Sequence, residues 1–518
     1  MLPDEVSVML GLDEPDDPEH VRARVARALG VREAELPPLT VKKRSIDARR
    51  GRVRFRLLVG LEGEPEELSP ELPREVSGPA EVVIVGDGPA GMFAAYELAR
   101  HGVASVVLDR GKQVRPRRKD LRGLTQLGVV DPDSNYCFGE GGAGTYSDGK
   151  LYTRAHKRGN VRDVLEVLAL HGAPPSILVD ARPHIGSNRL PLVVTALRER
   201  LEGVGVRFRF EARVTELLLD QRRVAGVRLA DGSEIPARQV VIATGHSARD
   251  VFMLLDRAGV ELEAKAFAMG VRIEHPQPLI NRIQYGAAAG HPKLPAAAYQ
   301  LADHGVFSFC MCPGGFVVPA STEPEGLVVN GMSLSRRDSP FANSGLVVSV
   351  ELEDLEGTGP LAGVELQRRL EQAALLAGGG RLRAPATRAT DFVAGRGSST
   401  VPKSSYVPGI VATDVAEVLG PRISNRLRQA LSGFDRRMRG YLTDEAVLIG
   451  VESRTSSPVR VPRDPETLES PSVEGLYPAG EGAGYAGGIV SAAVDGMRVA
   501  RSILQKRVAM RCSTPMNA

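Results

Sequence analysis

Hydrophobic and polar positions along the chain predict a β-α-β unit that begins near residue 80. Residues 82–85 read Val-Val-Ile-Val, an apolar run that is too short for a helix and rich in β-branched side chains. Such a run predicts a strand that is buried on both faces of a parallel sheet. A helical stretch follows at Met92–His101 and a second apolar strand at Ala104–Leu108. The spacing therefore predicts one complete β-α-β unit.

The first 60 residues predict a small, separate α+β module. Val6–Leu12 has the pattern of a strand and Asp17–Leu29 that of an amphipathic helix. Val53–Val59 alternates apolar residues with arginine, which favours an edge strand. The Glu- and Pro-rich stretch Glu62–Glu75 is typical of a linker. We therefore assign residues 1–75 to an N-terminal module.

Composition narrows the class of protein. The 518 residues are 42% hydrophobic and 25% charged, as in soluble globular proteins with ample core. A net charge of +3 is too small for a chain that binds polyanions over its whole surface. Four cysteines exclude a secreted disulfide framework, and their spacing predicts no metal site. With neither a signal-peptide pattern nor an apolar run of membrane length, we expect a cytoplasmic protein without a membrane partner.

A glycine-rich turn follows the first apolar strand at once. In Gly86-Asp87-Gly88-Pro89-Ala90-Gly91, the first glycine permits the tight turn and the second admits a pyrophosphate close to the backbone. The third allows the helix to pack against the sheet. Free N–H groups at the start of that helix favour an anion.

An acidic residue ends the second strand, at the spacing that a dinucleotide site requires. Asp109 can accept hydrogen bonds from both hydroxyls of an adenosine ribose, and its charge would repel a 2′-phosphate. Strand, turn, helix and acid therefore occur in the order of a dinucleotide-binding fingerprint. This fingerprint does not by itself distinguish FAD from NAD.

Two later segments indicate FAD. Residues 240–245 read as a strand that ends in Ala-Thr-Gly, and Gly475–Gly484 leads into a helix of small residues at Gly488–Ile503. This three-part order resembles the glutathione-reductase-like FAD superfamily. The resemblance implies that an acid in the last motif contacts the flavin ribityl chain and that the following helix faces the flavin ring. Glu481 stands where that superfamily usually carries Asp.

A longer string makes the resemblance more specific. Asn135–Leu151 reads NYCFGEGGAGTYSDGKL, and it occurs together with PHIG at 183–186, CMCPGG at 310–315 and VESRTSSPV at 451–459. From about Lys43 to Ala500 the chain resembles the family of uncharacterised FAD-dependent dehydrogenases. The resemblance implies non-covalent FAD. The predicted cofactor-binding residues are Gly86, Gly88, Pro89, Ala90, Gly91, Asp109, Arg110, Gly141, Gly142, Ala143, Gly144, Thr244, Gly245, Gly480, Glu481, Gly488 and Ile489.

Three residues are candidates for catalysis. Arg454, flanked by small polar residues, would stabilise the negative charge of a reduced flavin or bind an anionic substrate. The alternative is a surface-loop arginine. Ser147 and Lys150 follow the glycine-rich loop and would contact flavin or substrate, or else only cap a turn.

The remaining cysteines and histidines favour structural roles. We expect Cys137, Cys310 and Cys312 to be small buried hydrophobic residues, with a redox role for any of them as the alternative. We likewise expect His184 and His275 to be structural rather than general acids.

Together these patterns predict an α/β fold with a discontinuous Rossmann-like FAD-binding domain. It would span residues 80–255 and 446–508 and would be interrupted by an α+β substrate or cap domain at 256–445. The predicted function is an FAD-dependent oxidoreductase that moves a hydride through flavin N5 to or from a small organic substrate. Without a second dinucleotide domain, NADH or NADPH would act only as a transient electron donor. The alternatives are a flavin monooxygenase or oxidase, or an RNA-binding or RNA-modifying flavoprotein that uses the basic segment at 42–56. We do not expect nucleic acid as the principal partner.

Overall fold

The computed structural model describes residues 2–61, 68, 70–153 and 159–513 of the chain. The N-terminal module contains strand β1 (Glu5–Gly11), helix α1 (Pro18–Leu29), strand β2 (Thr40–Asp47) and strand β3 (Arg54–Gly60). The three strands form an antiparallel sheet in the order β1-β3-β2. The predicted linker Glu62–Glu75 lies partly outside the described residues.

Strand β3 occupies the centre of this small sheet, so its prediction as an edge strand is wrong. It pairs with β1 on one side and with β2 on the other. Phe55, Leu57 and Val59 are buried on one face, and arginines alternate with them on the other. The alternation thus reflects a sheet that is buried on one face only, which occurs in central strands as readily as at edges.

Several cations of the basic segment are paired within the module. Lys42 contacts Glu5 at 3.2 Å and Arg44 contacts Asp16 at 3.3 Å. Arg44 also stacks over the ring of Phe55. These contacts offset part of the positive charge that the sequence concentrates at 42–56.

The other helices and strands follow in chain order. The next segment contains β4 (Val82–Val85), α2 (Pro89–Arg100), β5 (Ser105–Leu108), α3 (Val114–Arg122), α4 (Val161–Leu170), α5 (Leu190–Gly203), β6 (Arg207–Arg209), β7 (Val214–Asp220), β8 (Arg223–Leu229), β9 (Glu234–Pro236), β10 (Val240–Ile242) and α6 (Arg249–Arg257). The middle segment contains β11 (Glu263–Ala264), β12 (Phe267–Pro276), α7 (Gln277–Tyr285), β13 (Ala302–Asp303), β14 (Val306–Cys312), β15 (Gly315–Pro319), β16 (Val329–Ser333), β17 (Phe341–Val350), α8 (Ala362–Ala377), β18 (Ala384–Arg388), α9 (Ala389–Val393), β19 (Ile410–Ala412), α10 (Val415–Arg437) and β20 (Val447–Glu452). The last segment contains β21 (Val459–Arg460), β22 (Leu476–Pro478) and α11 (Ile489–Ser513).

A parallel sheet in the order β22-β10-β4-β5-β6 forms the α/β centre of the fold. All four residues of β4 are buried, as a strand covered on both faces requires. Helices α2 and α11 pack against the sheet and against each other. The sheet therefore brings segments that are far apart in the sequence to the carboxyl end of β4.

A seven-stranded sheet forms the second large unit, in the order β13-β14-β17-β12-β20-β18-β19. Its core is closed by α8 and α10. The predicted FAD-binding segment begins at residue 446, whereas the pairing of β20 with β12 and β18 places that strand in this second sheet. The smaller sheets are β7-β8-β9, β15-β16 and β11-β21. Among the described residues, no helix combines the length and apolarity that a membrane span requires.

His275 lies in the core of this second unit. Its side chain is fully buried, and Nε2 lies 2.8 Å from the carbonyl oxygen of Tyr441, to which it donates. The other ring nitrogen is buried and has no hydrogen-bond partner among the residues that the structure describes. Burial lowers the pKa of His275 from 6.5 to about 4, because a proton on that nitrogen would carry an unsolvated charge.

We expect this buried histidine to make stability depend on pH. Between pH 6.5 and 4 the unfolded chain binds the proton while the native state does not, so the free energy of unfolding falls as pH falls. His275 contributes about 3 kcal/mol to that fall. Urea unfolding at several pH values should show a weaker pH dependence for His275→Gln. The exposed His304→Asn should keep the wild-type slope, and equal slopes in all three proteins would contradict the assignment.

Candidate functional site

The glycine-rich turn after β4 is packed too tightly for any larger residue. Gly86 has φ +105°, and a Cβ there would lie 2.4 Å from the carbonyl oxygen of Ala243. A Cβ on Gly91 would lie 1.9 Å from the carbonyl oxygen of Gly86. The turn, the start of α2 and the end of β10 are therefore in direct main-chain contact.

The start of α2 leaves N–H groups available for an anion. Gly88 is the N-cap, Pro89 is the first helical residue, and neither an acidic residue nor a capping side chain occupies the first turn. Nearby, burial and the charges of Asp109 and Glu140 raise the pKa of Asp87 well above its ordinary value. Burial and neighbouring charge thus disfavour the ionised form of Asp87, beside a helix start that favours a pyrophosphate.

Asp109 is fixed at the carboxyl end of β5. Its two carboxylate oxygens accept hydrogen bonds from the backbone N–H groups of Asp87, at 3.1 Å, and Gly111, at 2.8 Å. Each oxygen retains a lone pair, so the carboxylate can also accept from ribose hydroxyls. Arg110 next to it is held by Asp133 and Asp250 and stacks over Phe138.

The glycine-rich loop at 139–149 is held by a buried arginine that the sequence analysis did not single out. Arg117 donates to the carbonyl oxygens of Asn135, Tyr136, Glu140 and Gly142 at 2.8–3.0 Å. Gly142 has φ +62°, and a Cβ there would lie 3.0 Å from the Cα of Gly88. The loop therefore rests directly on the dinucleotide turn. An arginine in a positively charged helix gives no signal in the sequence that it is buried.

The third segment reaches the same place from the C-terminal part of the chain. A Cβ on Gly482 would lie 2.5 Å from the carbonyl oxygen of Gly245, so the last motif packs on the end of β10. Burial raises the pKa of Glu481, whose carboxylate lies 3.7 Å from Nδ1 of His246. Helix α11 starts beside it, at Ile489.

Most of the predicted site residues line one cavity. Its lining includes all of the predicted cofactor-binding residues except Gly91 and Gly141, which lie behind the lining. Ser147 and Arg454 also line the cavity, whereas Lys150 does not. The Ser147 hydroxyl donates to the Gly144 carbonyl and accepts from the Gly149 N–H, so it caps the turn from within the lining.

Arg454 is buried, which excludes the surface-loop alternative. Its guanidinium donates through Nε and Nη2 to the two carboxylate oxygens of Glu371, at 3.1 and 3.0 Å, and through Nη1 to Thr322. Arg249 also binds Glu371, at 2.7 Å. Although burial opposes ionisation, the charges of Arg454 and Arg249 lower the pKa of Glu371 to about 2. The guanidinium of Arg454, which lines the cavity, is therefore held by a buried carboxylate that a second arginine also contacts.

Strand β14 of the second sheet and strand β16 of the small sheet β15-β16 supply another wall. Phe309, Cys310, Asn330 and Gly331 line the cavity there, and none of them was predicted as a site residue. Lys150 lies behind this wall, with its ammonium 2.9 Å from Asp148 and within 3.5 Å of the sulfurs of both Cys310 and Cys312. Cys312 is fully buried and Cys310 is half-buried.

These features fit FAD and give no indication of a metal. Glycines at 86, 88 and 142 leave room for main chain to lie against a dinucleotide, α2 offers N–H groups to its phosphates, and Asp109 can accept from its ribose. The cavity continues from this end to the wall of the second sheet. Among the described residues, no three metal-ligating side chains come together.

Fold and site together define a FAD-dependent oxidoreductase, and comparisons with known proteins agree. An FAD binding domain matches residues 79–125, a pyridine nucleotide-disulphide oxidoreductase domain matches 166–271, and a domain described as "FAD-dependent protein, C-terminal domain-like" matches 266–455. A domain of unknown function matches 2–62. The chain belongs to the same family as an "Uncharacterized protein" of Clostridium beijerinckii. The two are 41% identical over 527 residues, which cover 96% of this chain and 98% of the relative.

Solved structures with distant similarity include a flavoprotein/dehydrogenase from Cytophaga hutchinsonii. It is 11% identical, with a TM-score of 0.36 over 84% of this chain and 80% of that chain. The flavin-dependent brominase Bmp2 is 12% identical, with a TM-score of 0.37 over 85% and 81% of the two chains. Likenesses this distant carry no argument about the chemistry of this protein.

We expect Arg117→Lys to weaken both the fold and FAD binding. A lysine retains the charge but cannot donate to four carbonyl oxygens in one plane, and the carbonyls left unpaired are buried. The free energy of unfolding should fall by about 3 kcal/mol, and the dissociation constant for FAD should rise at least tenfold. Chemical unfolding and fluorescence titration measure the two effects. The exposed Arg115→Lys serves as the control, and indistinguishable variants would show that the loop does not depend on Arg117.

Proposed function

We propose that this protein binds FAD non-covalently and transfers a hydride to or from a small organic substrate held between the FAD cavity and the seven-stranded sheet. The observation that carries the proposal is that three distant segments and the wall of the second sheet line one cavity. The motif order further supports membership of the glutathione-reductase-like superfamily. Bound FAD supplies hydride acceptance or donation at its N5 atom.

Different groups of residues bind FAD at the two ends of the cavity. Asp109 binds the ribose, and the N–H groups at the start of α2 bind the pyrophosphate. The glycine-rich loop, held by Arg117, presents main chain to the flavin end.

At the substrate end, apolar and charged groups have separate roles. Phe309, Val318 and Ala320 exclude water, which strengthens electrostatic interactions inside the cavity. Arg454 provides a fixed positive charge whose orientation is set by Glu371. This charge favours a substrate, or a reduced cofactor, that carries negative charge.

The absorbance spectrum of the purified protein tests whether the protein binds FAD. We expect flavin absorbance, and release of the flavin on denaturation because no covalent link holds it. A colourless protein that fails to bind added FAD would overturn the proposal. Anaerobic addition of NADH and NADPH then tests whether either acts as the transient donor. Rapid reoxidation in air, coupled to oxygenation of a substrate, would instead favour a monooxygenase or oxidase.

Asp109→Asn should weaken FAD binding without altering the fold. The amide keeps one acceptor oxygen, so one of the two backbone N–H groups that Asp109 binds loses its partner. The amide also loses the charge that strengthens hydrogen bonds from ribose hydroxyls. We expect the dissociation constant for FAD to rise about tenfold to a hundredfold. Isothermal titration of the apoprotein gives this constant, with the exposed Asp220→Asn as the matched control. Equal affinities in both variants would remove Asp109 from the binding site.

A further inference from the structure

Two cysteines of strand β14 contact the same lysine ammonium group at the wall of the FAD cavity. Nζ of Lys150 lies 3.4 Å from Sγ of Cys310 and 3.5 Å from Sγ of Cys312. Residues two apart in a strand point to the same face, and here β14 also bulges against β17 between Phe309 and Cys312. Cys310 has φ +44°, a conformation that a residue with a side chain seldom adopts. The backbone thus places both sulfurs next to the ammonium group of Lys150.

Buried groups hold this geometry in place. Arg272, which is fully buried, donates to the Cys310 carbonyl at 2.9 Å and is anchored by Glu452. Lys150 is anchored in turn by Asp148, which also binds Arg337 at 3.1 Å and the hydroxyl of Ser333. Lys150 itself is not among the residues that line the cavity.

The two thiols differ in access and in acidity. Cys310 lines the cavity, whereas Cys312 is fully buried behind it. A hydrogen bond from the Cys312 thiol, together with the charges of Lys150 and Arg272, lowers the pKa of Cys310 well below its ordinary value. Burial raises the pKa of Cys312. An accessible, more acidic thiol beside a buried, less acidic one is the arrangement of an attacking and a resolving cysteine.

We propose that Cys310 and Cys312 form a redox-active thiol pair that exchanges two electrons with the FAD bound in the same cavity. This inference rests on the proposed function for its oxidant. In the oxidative direction Cys310, reacting as its thiolate, forms an S–S bond with the sulfur of Cys312, and the S–H bond of Cys312 breaks. The electron pair and the released proton pass to oxidised flavin, which becomes reduced and singly protonated. The reverse reaction reopens the disulfide. The pair therefore stores a second pair of electrons beside the flavin.

Anaerobic reduction of the holoprotein tests this storage directly. Starting from fully oxidised protein, the wild type should consume twice as much dithionite per flavin as Cys310→Ser or Cys312→Ser. Cys137→Ser is the matched control, because Cys137 also lines the cavity but belongs to the segment before the glycine-rich loop rather than to β14. It should retain the twofold consumption. Peptide mass mapping before and after reduction should locate a disulfide within the peptide that holds both cysteines.

The possible outcomes distinguish a failure of the thiol pair from a failure of the proposed function. If the wild type binds flavin, consumes the same dithionite as the serine variants and keeps both thiols free when oxidised, the inference fails and the proposed function stands. If the protein binds no flavin, both fail. A disulfide in the mapped peptide and a twofold difference in consumption together support the pair, and the mass readout on unmutated protein does not depend on the folding of any variant.

Lys150→Gln provides a second test, because the loss of a lysine with only a structural role would not change the reactivity of Cys310. Removing the ammonium should raise the pKa of Cys310 and slow its alkylation by iodoacetamide at neutral pH at least tenfold. The difference should shrink at high pH, where the thiol ionises in both proteins. An unchanged rate at every pH would separate Lys150 from the thiol pair.

Discussion

The guanidinium of Arg117 is the interaction on which the cofactor site depends most. Four backbone carbonyls, between residues 135 and 142, accept its N–H groups, and no solvent reaches the side chain. A loop with so many glycines has high conformational entropy when unfolded, so ordering it requires strong local contacts. Charge-assisted hydrogen bonds from one rigid, planar group supply them. Because Gly142 then touches Gly88, the arginine also sets the position of the loop against the dinucleotide turn.

The order of strands in the parallel sheet explains why residues so far apart in sequence share a site. Strand β4 lies between β10 and β5, and β22 lies beyond β10, so motifs after three strands meet at one edge. Parallel strands present their carboxyl ends together, and in open α/β sheets ligands bind there. Strand β14 of the second sheet and strand β16 of the small sheet β15-β16 then complete the cavity, because they bring Phe309, Cys310 and Asn330 into its lining. The proposed substrate end is thus built from different strands than the cofactor end.

Sequence patterns could predict the cofactor end because its requirements are local. Glycines at fixed spacing, a buried strand before them and an acid after the next strand are all visible within about 30 residues. The position of β3 was wrong because one-sided burial gives the same alternation at the centre of a sheet as at its edge. Arg117, Arg249 and Glu371 could not be predicted, since burial of a charged residue depends on tertiary partners up to 122 positions away. The contact of Lys150 with both sulfurs has the same origin, with 160 and 162 residues between the partners.

Buried ion pairs at the junction of the two units carry a cost that a purely structural role does not explain. Taking Arg272 and Glu452, or Arg454 and Glu371, out of water costs several kcal/mol per ion, and apolar residues of similar size would often serve stability as well. The charged pairs add directional hydrogen bonds, which hold their partner groups in one orientation. Arg272 fixes the carbonyl of Cys310 through one N–H while Glu452 holds another, and Glu371 fixes both oxygens against Arg454 while it also receives Arg249. Hydrophobic contacts are non-directional and would leave those polar groups without hydrogen-bond partners. The ion pairs therefore stabilise one arrangement of the cavity wall rather than the fold in general, which is what a site that must position both a cofactor and a substrate requires.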